Sequence, residues 1–76
     1  MSPEEILKRP YHWIVIPDED GSFFATIGEF PGCLTDAMSP TEAIVQLREV
    51  ALCWLAAVIE QGQTVPEPKV FSYFNT

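Results

Sequence analysis

A long helix, predicted from Ser39 to Gly62, constrains the fold of this 76-residue chain more than any other stretch. Ser39-Pro40-Thr41-Glu42 has the pattern of a capping box, in which the serine side chain accepts from the amide of residue 42 and the proline suits the first helical position. Gly62 ends the helix because glycine adopts left-handed backbone angles without a Cβ clash. Apolar residues at the helical period predict one core-facing side, made of Ile44, Leu47, Ala51, Trp54, Leu55 and Val58.

A second apolar row lies beside this face of the helix and is interrupted on its near side by Arg48. Its members are Val45, Leu52, Ala56 and Ile59. A helix that is apolar around most of its circumference usually has more than one neighbour. That neighbour is either another segment of the chain or a second copy of the protein, and a chain this short has few residues to spare. The row is therefore a candidate self-association surface.

Short strands are predicted on both sides of the helix, at residues 11–16, 22–27, 33–36 and 69–74. Asp20-Gly21 supplies the hairpin turn between the first two strands. Residues 1–10 form an N-terminal extension with a short helical turn signalled by Ser2-Pro3-Glu4-Glu5. A three-stranded meander, a crossover helix and a last strand beside the first predict one α+β domain over residues 1–76, with two layers in the order β-β-β-α-β.

The first predicted strand is apolar on both faces. Alternation places Tyr11, Trp13 and Val15 on one face and His12, Ile14 and Ile16 on the other. In the second strand, Phe24 points away from Phe23 and Ala25. One helix covers only one face of a small sheet, so the second face needs a partner, a sister chain or the chain's own tail. We take Tyr11, Trp13 and Phe24 as candidate partner-binding residues.

The charge of the chain bears on the class of partner. Eleven acidic residues against four basic ones give a net charge of -7 and an isoelectric point near 4.3. Direct binding of nucleic acid rests on clustered Lys and Arg, which this chain lacks. A basic protein is the favoured partner, although net charge can also simply keep a small protein soluble.

The sequence contains no pattern that predicts a catalytic, metal or cofactor site. His12 is the only histidine, and Cys33 and Cys53 are expected to be free thiols without zinc-ligand spacing. The acidic run from Asp18 to Asp20 lacks the later ligands of a calcium loop and is interpreted as a solvated hairpin tip. There is no secretory signal and no apolar run long enough to span a bilayer, so we expect a cytoplasmic protein.

A set of features occurs in order from about Tyr11 to Phe74: Tyr11, an acidic turn closed by Gly21, Phe23, the loop Glu29-Phe30-Pro31-Gly32-Cys33, Thr35, Ser39, Glu42-Ala43, Gly62 and Val65-Pro66-Glu67-Pro68. Together these features resemble the HicB antitoxin family. It implies a truncated ribonuclease H-like fold with strand order 3-2-1-4. It also implies that the protein neutralises HicA, a small basic toxin that cleaves messenger RNA, by covering the active surface of the toxin.

Two departures from the family pattern qualify this expectation. Ala37-Met38 stands where many relatives carry Gly-Asp before the helix cap. Many relatives also continue into a DNA-binding segment, whereas this sequence ends at Thr76, so we expect a stand-alone domain without autorepression. The alternative function is an orphan domain that forms homo-oligomers without a toxin. A residual metal-dependent nuclease using Asp36 or Glu42 is the least favoured hypothesis, because the interior of the first strand has no carboxylate.

Overall fold

The computed structural model describes residues 1–69. It consists of a three-stranded antiparallel sheet packed against one long helix. The elements in chain order are α1 (Pro3–Leu7), β1 (Trp13–Pro17), β2 (Phe23–Ile27), β3 (Leu34–Ala37) and α2 (Pro40–Glu60). The sheet order is β1-β2-β3, with β2 in the centre. The predicted α+β class, the meander and the long helix are confirmed. All but the first residue of the strand predicted at 69–74 lies outside the described residues, so the full 3-2-1-4 order stays a prediction.

Both ends of α2 are fixed by the hydrogen bonds that the sequence indicates. The Ser39 side chain accepts from the amide of Glu42 at 3.1 Å. The arrangement is not a strict capping box, because the Glu42 carboxylate accepts from the amide of Met38 at 3.4 Å rather than from that of Ser39. At the other end Gly62 has a φ of +72°, and the amide of Gln63 reaches the carbonyl of Val58 at 3.0 Å. This is the Schellman arrangement that a glycine after the helix permits.

The core lies between α2, the inner face of the sheet and α1. On α2 the fully or nearly fully buried residues are Ala43, Leu47, Ala51, Leu55 and Val58. All of these except Val58 belong to one buried cluster with Ala25 and Ile27 of β2 and with the buried side chains of α1. The prediction that Ile44 belongs to this core face is wrong, since 43% of Ile44 is exposed. Adjacent helical residues point about 100° apart, so burying Ala43 against the sheet turns Ile44 towards the helix flank.

The strand register decides which side chains share a face of the sheet. In the β1–β2 hairpin Ile16 lies opposite Phe24, and Trp13 lies opposite Ile27. Residues directly opposite each other point to the same face. Trp13 therefore faces α2, where it packs on the core, and Phe24 points away from α2. The predicted grouping of Trp13 with Phe24 on one partner-binding face is wrong, because alternation along each strand does not reveal how two strands align.

Tyr11 belongs to the core and not to a free surface, which corrects its assignment as a partner-binding residue. Only 6% of Tyr11 is exposed, and its phenol donates to the carbonyl of Pro66 at 2.7 Å. Its ring centroid is 4.5 Å from that of Phe30, which stacks in turn on Trp54 at 4.7 Å. The chain that follows α2 thus passes over Tyr11 and covers it.

Candidate protein-binding surfaces

The face of the sheet that points away from α2 carries a row of apolar side chains, which we call the outer sheet face. The two registers place Ile14, Ile16, Phe24, Thr26, Leu34 and Asp36 on it. Ile16 is 50% exposed and Leu34 is 53% exposed, while Phe24 is half-buried. Contiguous apolar surface of this kind is more typical of an interaction site than single exposed residues are. Tyr11, Trp13 and Phe24 were the partner-binding residues predicted from the strands, and of these three Phe24 lies on the outer sheet face.

The charged side chains within the stretch of sequence that forms the sheet are all acidic. No Lys or Arg occurs between Pro10 and Leu47, a stretch that contains all three described strands. The same stretch contains six carboxylates: Asp18, Glu19, Asp20, Glu29, Asp36 and Glu42. Asp36 lies on the outer sheet face directly opposite Phe24. The outer sheet face therefore combines an apolar centre with negative charge and no nearby basic residue in sequence.

The hairpin tip between β1 and β2 presents three of these carboxylates to solvent. Gly21, with a φ of +90°, allows the tight turn, in which Asp18 and Ser22 are joined by a backbone hydrogen bond of 2.8 Å. The Ser22 hydroxyl donates to the Asp20 carboxylate at 2.6 Å, and its amide donates at 2.9 Å. These hydrogen bonds lower the pKa of Asp20 below its usual value. The tip is thus a fixed negative end of the sheet at neutral pH.

The second surface is on α2, where Val45, Leu52, Ala56 and Ile59 form what we call the helix row. Val45 is 56% exposed and Ile59 is 40% exposed, Ala56 is exposed, and Leu52 is half-buried against the core. Unlike the outer sheet face, the helix row has an exposed cation, Arg48, beside it. Its role in self-association stays a prediction.

Glu29 is the most unusual polar residue of the fold, because its carboxylate is completely buried. One oxygen accepts from the amide of His12 at 3.0 Å. The other accepts from the amide of Lys69 at 2.9 Å and lies 2.8 Å from Nδ1 of His12. Burial is the largest single influence and opposes ionisation, but together the hydrogen bonds from His12 and Lys69 lower the pKa of Glu29 to about 2. Since an ionised carboxylate only accepts, Nδ1 of His12 carries a proton.

The position of Glu29 ties two distant parts of the chain together. Glu29 lies in the β2–β3 connection, His12 immediately precedes β1, and Lys69 follows the extended segment after α2. The carboxylate therefore holds the chain at residue 69 beside the start of β1. In the sequence, Glu29 stands out only as a member of the loop that resembles the family, and nothing in the residue pattern indicates that its side chain is buried.

The residues considered for catalysis are dispersed in the fold. The only histidine is paired with Glu29, and burial raises the pKa of the Cys33 thiol. Asp36 is exposed on the outer sheet face, whereas Glu42 binds the backbone before α2. In residues 1–69 no three His, Cys, Asp or Glu side chains are grouped as metal ligands. Over the same residues, no helix has the length and apolarity needed to cross a bilayer.

Comparison with known proteins places this geometry in context. A family model described as the HicB_like antitoxin of bacterial toxin-antitoxin systems matches residues 11–75. A curated relative, UPF0150 protein Ta0767 of Thermoplasma acidophilum, is 25% identical over 56 residues. That similarity covers 74% of this chain and 81% of the relative. The family match includes the whole described sheet, α2 and the Glu29 loop.

Proposed function

The chain belongs to the HicB-like antitoxin family, and from this premise we propose that it is a non-catalytic binding module that neutralises a small basic toxin of the HicA type. The observation that carries the proposal is the absence of Lys and Arg from Pro10 to Leu47, where an exposed apolar sheet face is combined with five exposed carboxylates, Glu29 being buried. A basic, RNA-cleaving protein has the complementary charge. The family match supports the class of partner, and the charge distribution supports the manner of binding.

Neutralisation by this chain requires occlusion and no chemical step. A toxin that acts on RNA needs a positively charged surface to hold phosphates. An acidic protein that covers this surface competes with RNA for the same cations, and electrostatic attraction accelerates the encounter. Buried apolar contacts at the centre of the interface then slow dissociation. With a net charge of -7 the antitoxin itself does not compete with the toxin for RNA. We expect it to act in the cytoplasm, where messenger RNA is cleaved.

The test is co-expression of this chain with a HicA-type toxin from the same genome, followed by size-exclusion chromatography with light scattering. We expect a complex that contains both chains, and we expect added antitoxin to stop RNA cleavage by the toxin. An unrelated double-stranded-RNA-binding domain of similar size and positive charge serves as the control for non-specific attraction. Failure to form a complex at low ionic strength, or equal binding to the control domain, contradicts the proposal.

A second candidate function is a homo-oligomeric orphan domain without a toxin, and the helix row favours it. Val45 and Ile59 expose aliphatic surface on a regular helix, which is a common basis for helix packing between subunits. Light scattering of the isolated chain tests this candidate. If the helix row joins two copies, Val45→Lys reduces the measured mass to that of one chain, while Glu49→Lys on the same helix does not. A wild-type protein that is monomeric at about 100 μM rules it out.

A further inference from the structure

We infer that the outer sheet face, together with the acidic hairpin tip, is the surface that receives the basic toxin. This inference rests on the proposed function and adds the site of contact to it. The partner chemistry that fits is a protein surface with cations around an apolar centre. Ile16 and Leu34 provide the opposing apolar centre, and Asp36 and the carboxylates of the hairpin tip provide the opposing charges.

Size explains why the apolar centre and the acidic tip must act together. Three short strands form a patch of roughly 16 Å by 14 Å, or a few hundred Å², given the usual rise per residue and strand spacing. A specific interface buries about 800 Å² on each partner. A toxin seated on the outer sheet face therefore extends beyond it, and the exposed turn from Asp18 to Gly21 adjoins the same two strands. Carboxylates thus fall within or around the interface.

Charge distinguishes a basic partner from a second copy of the chain as the occupant. Two copies meeting through this face each carry a net charge of -7 and an Asp36 carboxylate on the face itself, and like charges in an interface are unfavourable. The stretch from Pro10 to Leu47 has no Lys or Arg to offset them, and the exposed Lys69 lies beside the start of β1, at the end of that strand opposite the acidic tip. The helix row is different, because Arg48 is available there for pairing with a carboxylate of a sister chain. The outer sheet face is therefore assigned to the toxin and not to self-association.

The test is isothermal titration of the full-length chain with a HicA-type toxin whose RNA cleavage has been abolished by mutation. Ile16→Lys and Leu34→Lys each place a cation in the apolar centre at a residue that is half exposed, so the fold tolerates both changes. We expect each to weaken binding at least tenfold. The matched control is Ile44→Lys, a similarly exposed aliphatic residue on α2 that lies outside the helix row, for which we expect a change of less than twofold. Circular dichroism and unfolding curves verify that all three variants are folded.

A second measurement uses the unmodified protein and does not depend on how the variants fold. In methyl NMR spectra of the wild-type chain, addition of the inactive toxin is expected to shift the signals of Ile14, Ile16 and Leu34. The signals of Val45 and Ile59 on the helix row are expected to stay in place. Shifts confined to the helix row overturn the inference.

Other outcomes separate failure of the surface assignment from failure of the proposed function. Wild-type binding that both lysine variants retain overturns the surface assignment but leaves the antitoxin function standing. No binding by the wild-type chain overturns both. A free wild-type dimer that Leu34→Lys dissociates shows that a second copy occupies the face. Tighter toxin binding after deletion of residues 70–76 shows that the chain's own tail occupies it, and either result also overturns the inference.

Discussion

The outer sheet face and the helix row are both exposed and apolar, yet their charges differ. The sheet belongs to a stretch with six carboxylates and no Lys or Arg, whereas Arg48 and Glu49 occur together on α2 near the helix row. Exposed apolar area on its own indicates only that a surface is available for contact. The charges around it distinguish a partner of opposite sign from a copy of the same chain. The assignment proposed here therefore gives toxin binding and self-association separate surfaces on one small domain.

The largest expected effect concerns Glu29, because the sheet side of the molecule depends on it more than α2 does. Glu29→Ala leaves the amides of His12 and Lys69 without their acceptor and opens a buried space. We expect a loss of about 3 to 5 kcal/mol in the free energy of unfolding, measured by urea denaturation. In hydrogen exchange, protection should fall first in β1 and near residue 69, and last in α2. Glu67→Gln, which breaks the exposed ion pair with Arg9, is the control and should cost less than about 1 kcal/mol.

The pH dependence of stability follows from the same carboxylate. Its pKa falls from 4.5 in the reference state to about 2 in the folded protein, so the unfolded state binds more protons between these values. The stabilisation is complete above pH 4.5 and is lost as the pH falls towards 2, by a total of about 3 kcal/mol. Urea midpoints measured at pH 6, 4 and 3 test this. Glu29→Gln should show a flatter profile over this range, and an unchanged profile in that variant contradicts the assignment to Glu29.

A smaller effect is expected from neutralising the hairpin tip. In the triple variant Asp18→Asn, Glu19→Gln and Asp20→Asn, the turn keeps its side-chain acceptors but loses three charges. We expect the association rate with the toxin to fall about tenfold at low salt, with a weaker dependence on ionic strength. Stopped-flow fluorescence or surface plasmon resonance measures both. Neutralising Glu49 and Glu60 on α2 is the matched control, and an equal decrease there removes the distinction between the two surfaces.

The smallest effect is expected from Tyr11, which belongs to the core and to neither of the two surfaces. Tyr11→Phe removes the hydrogen bond to the carbonyl of Pro66 and keeps the ring contact with Phe30. We expect a loss of about 1 kcal/mol in the free energy of unfolding. Toxin affinity should not change, since Tyr11 lies beneath the chain that follows α2. A large loss of affinity without loss of stability returns Tyr11 to the binding surface.

Much of the fold was predictable from the sequence because it depends on contacts between near neighbours. The start of α2 at Ser39 and its end before Gly62 follow from hydrogen bonds that span three to five residues. The hairpin turn at Gly21 is local in the same sense. Which residues of α2 are buried could not be predicted in the same way. The apolar side of α2 is wide, and packing against the sheet buries Ala43 and leaves Ile44 partly exposed.

The candidate surface was only partly predictable. Phe24 was correctly seen to point away from its neighbours in the second strand, but the face it shares with Ile14 and Ile16 depends on the register of the hairpin. A shift of one residue in that register exchanges the two faces of a strand. The assignment of Trp13 to the binding surface was wrong because the register places it on the face towards α2. The assignment of Tyr11 was wrong because the chain that follows α2 covers it.

The sequence by itself determined the capped helix, the hairpin and the absence of basic residues from the sheet. These properties rest on residue type and short spacing, which remain the same in any fold of the chain. Tertiary structure alone decided that Tyr11 is covered and that Glu29 is buried. Their hydrogen bonds join residues 55 and 40 positions apart, Tyr11 with Pro66 and Glu29 with Lys69. Such contacts form only when the whole chain has packed, since closing long loops has an entropic cost that no local pattern reveals.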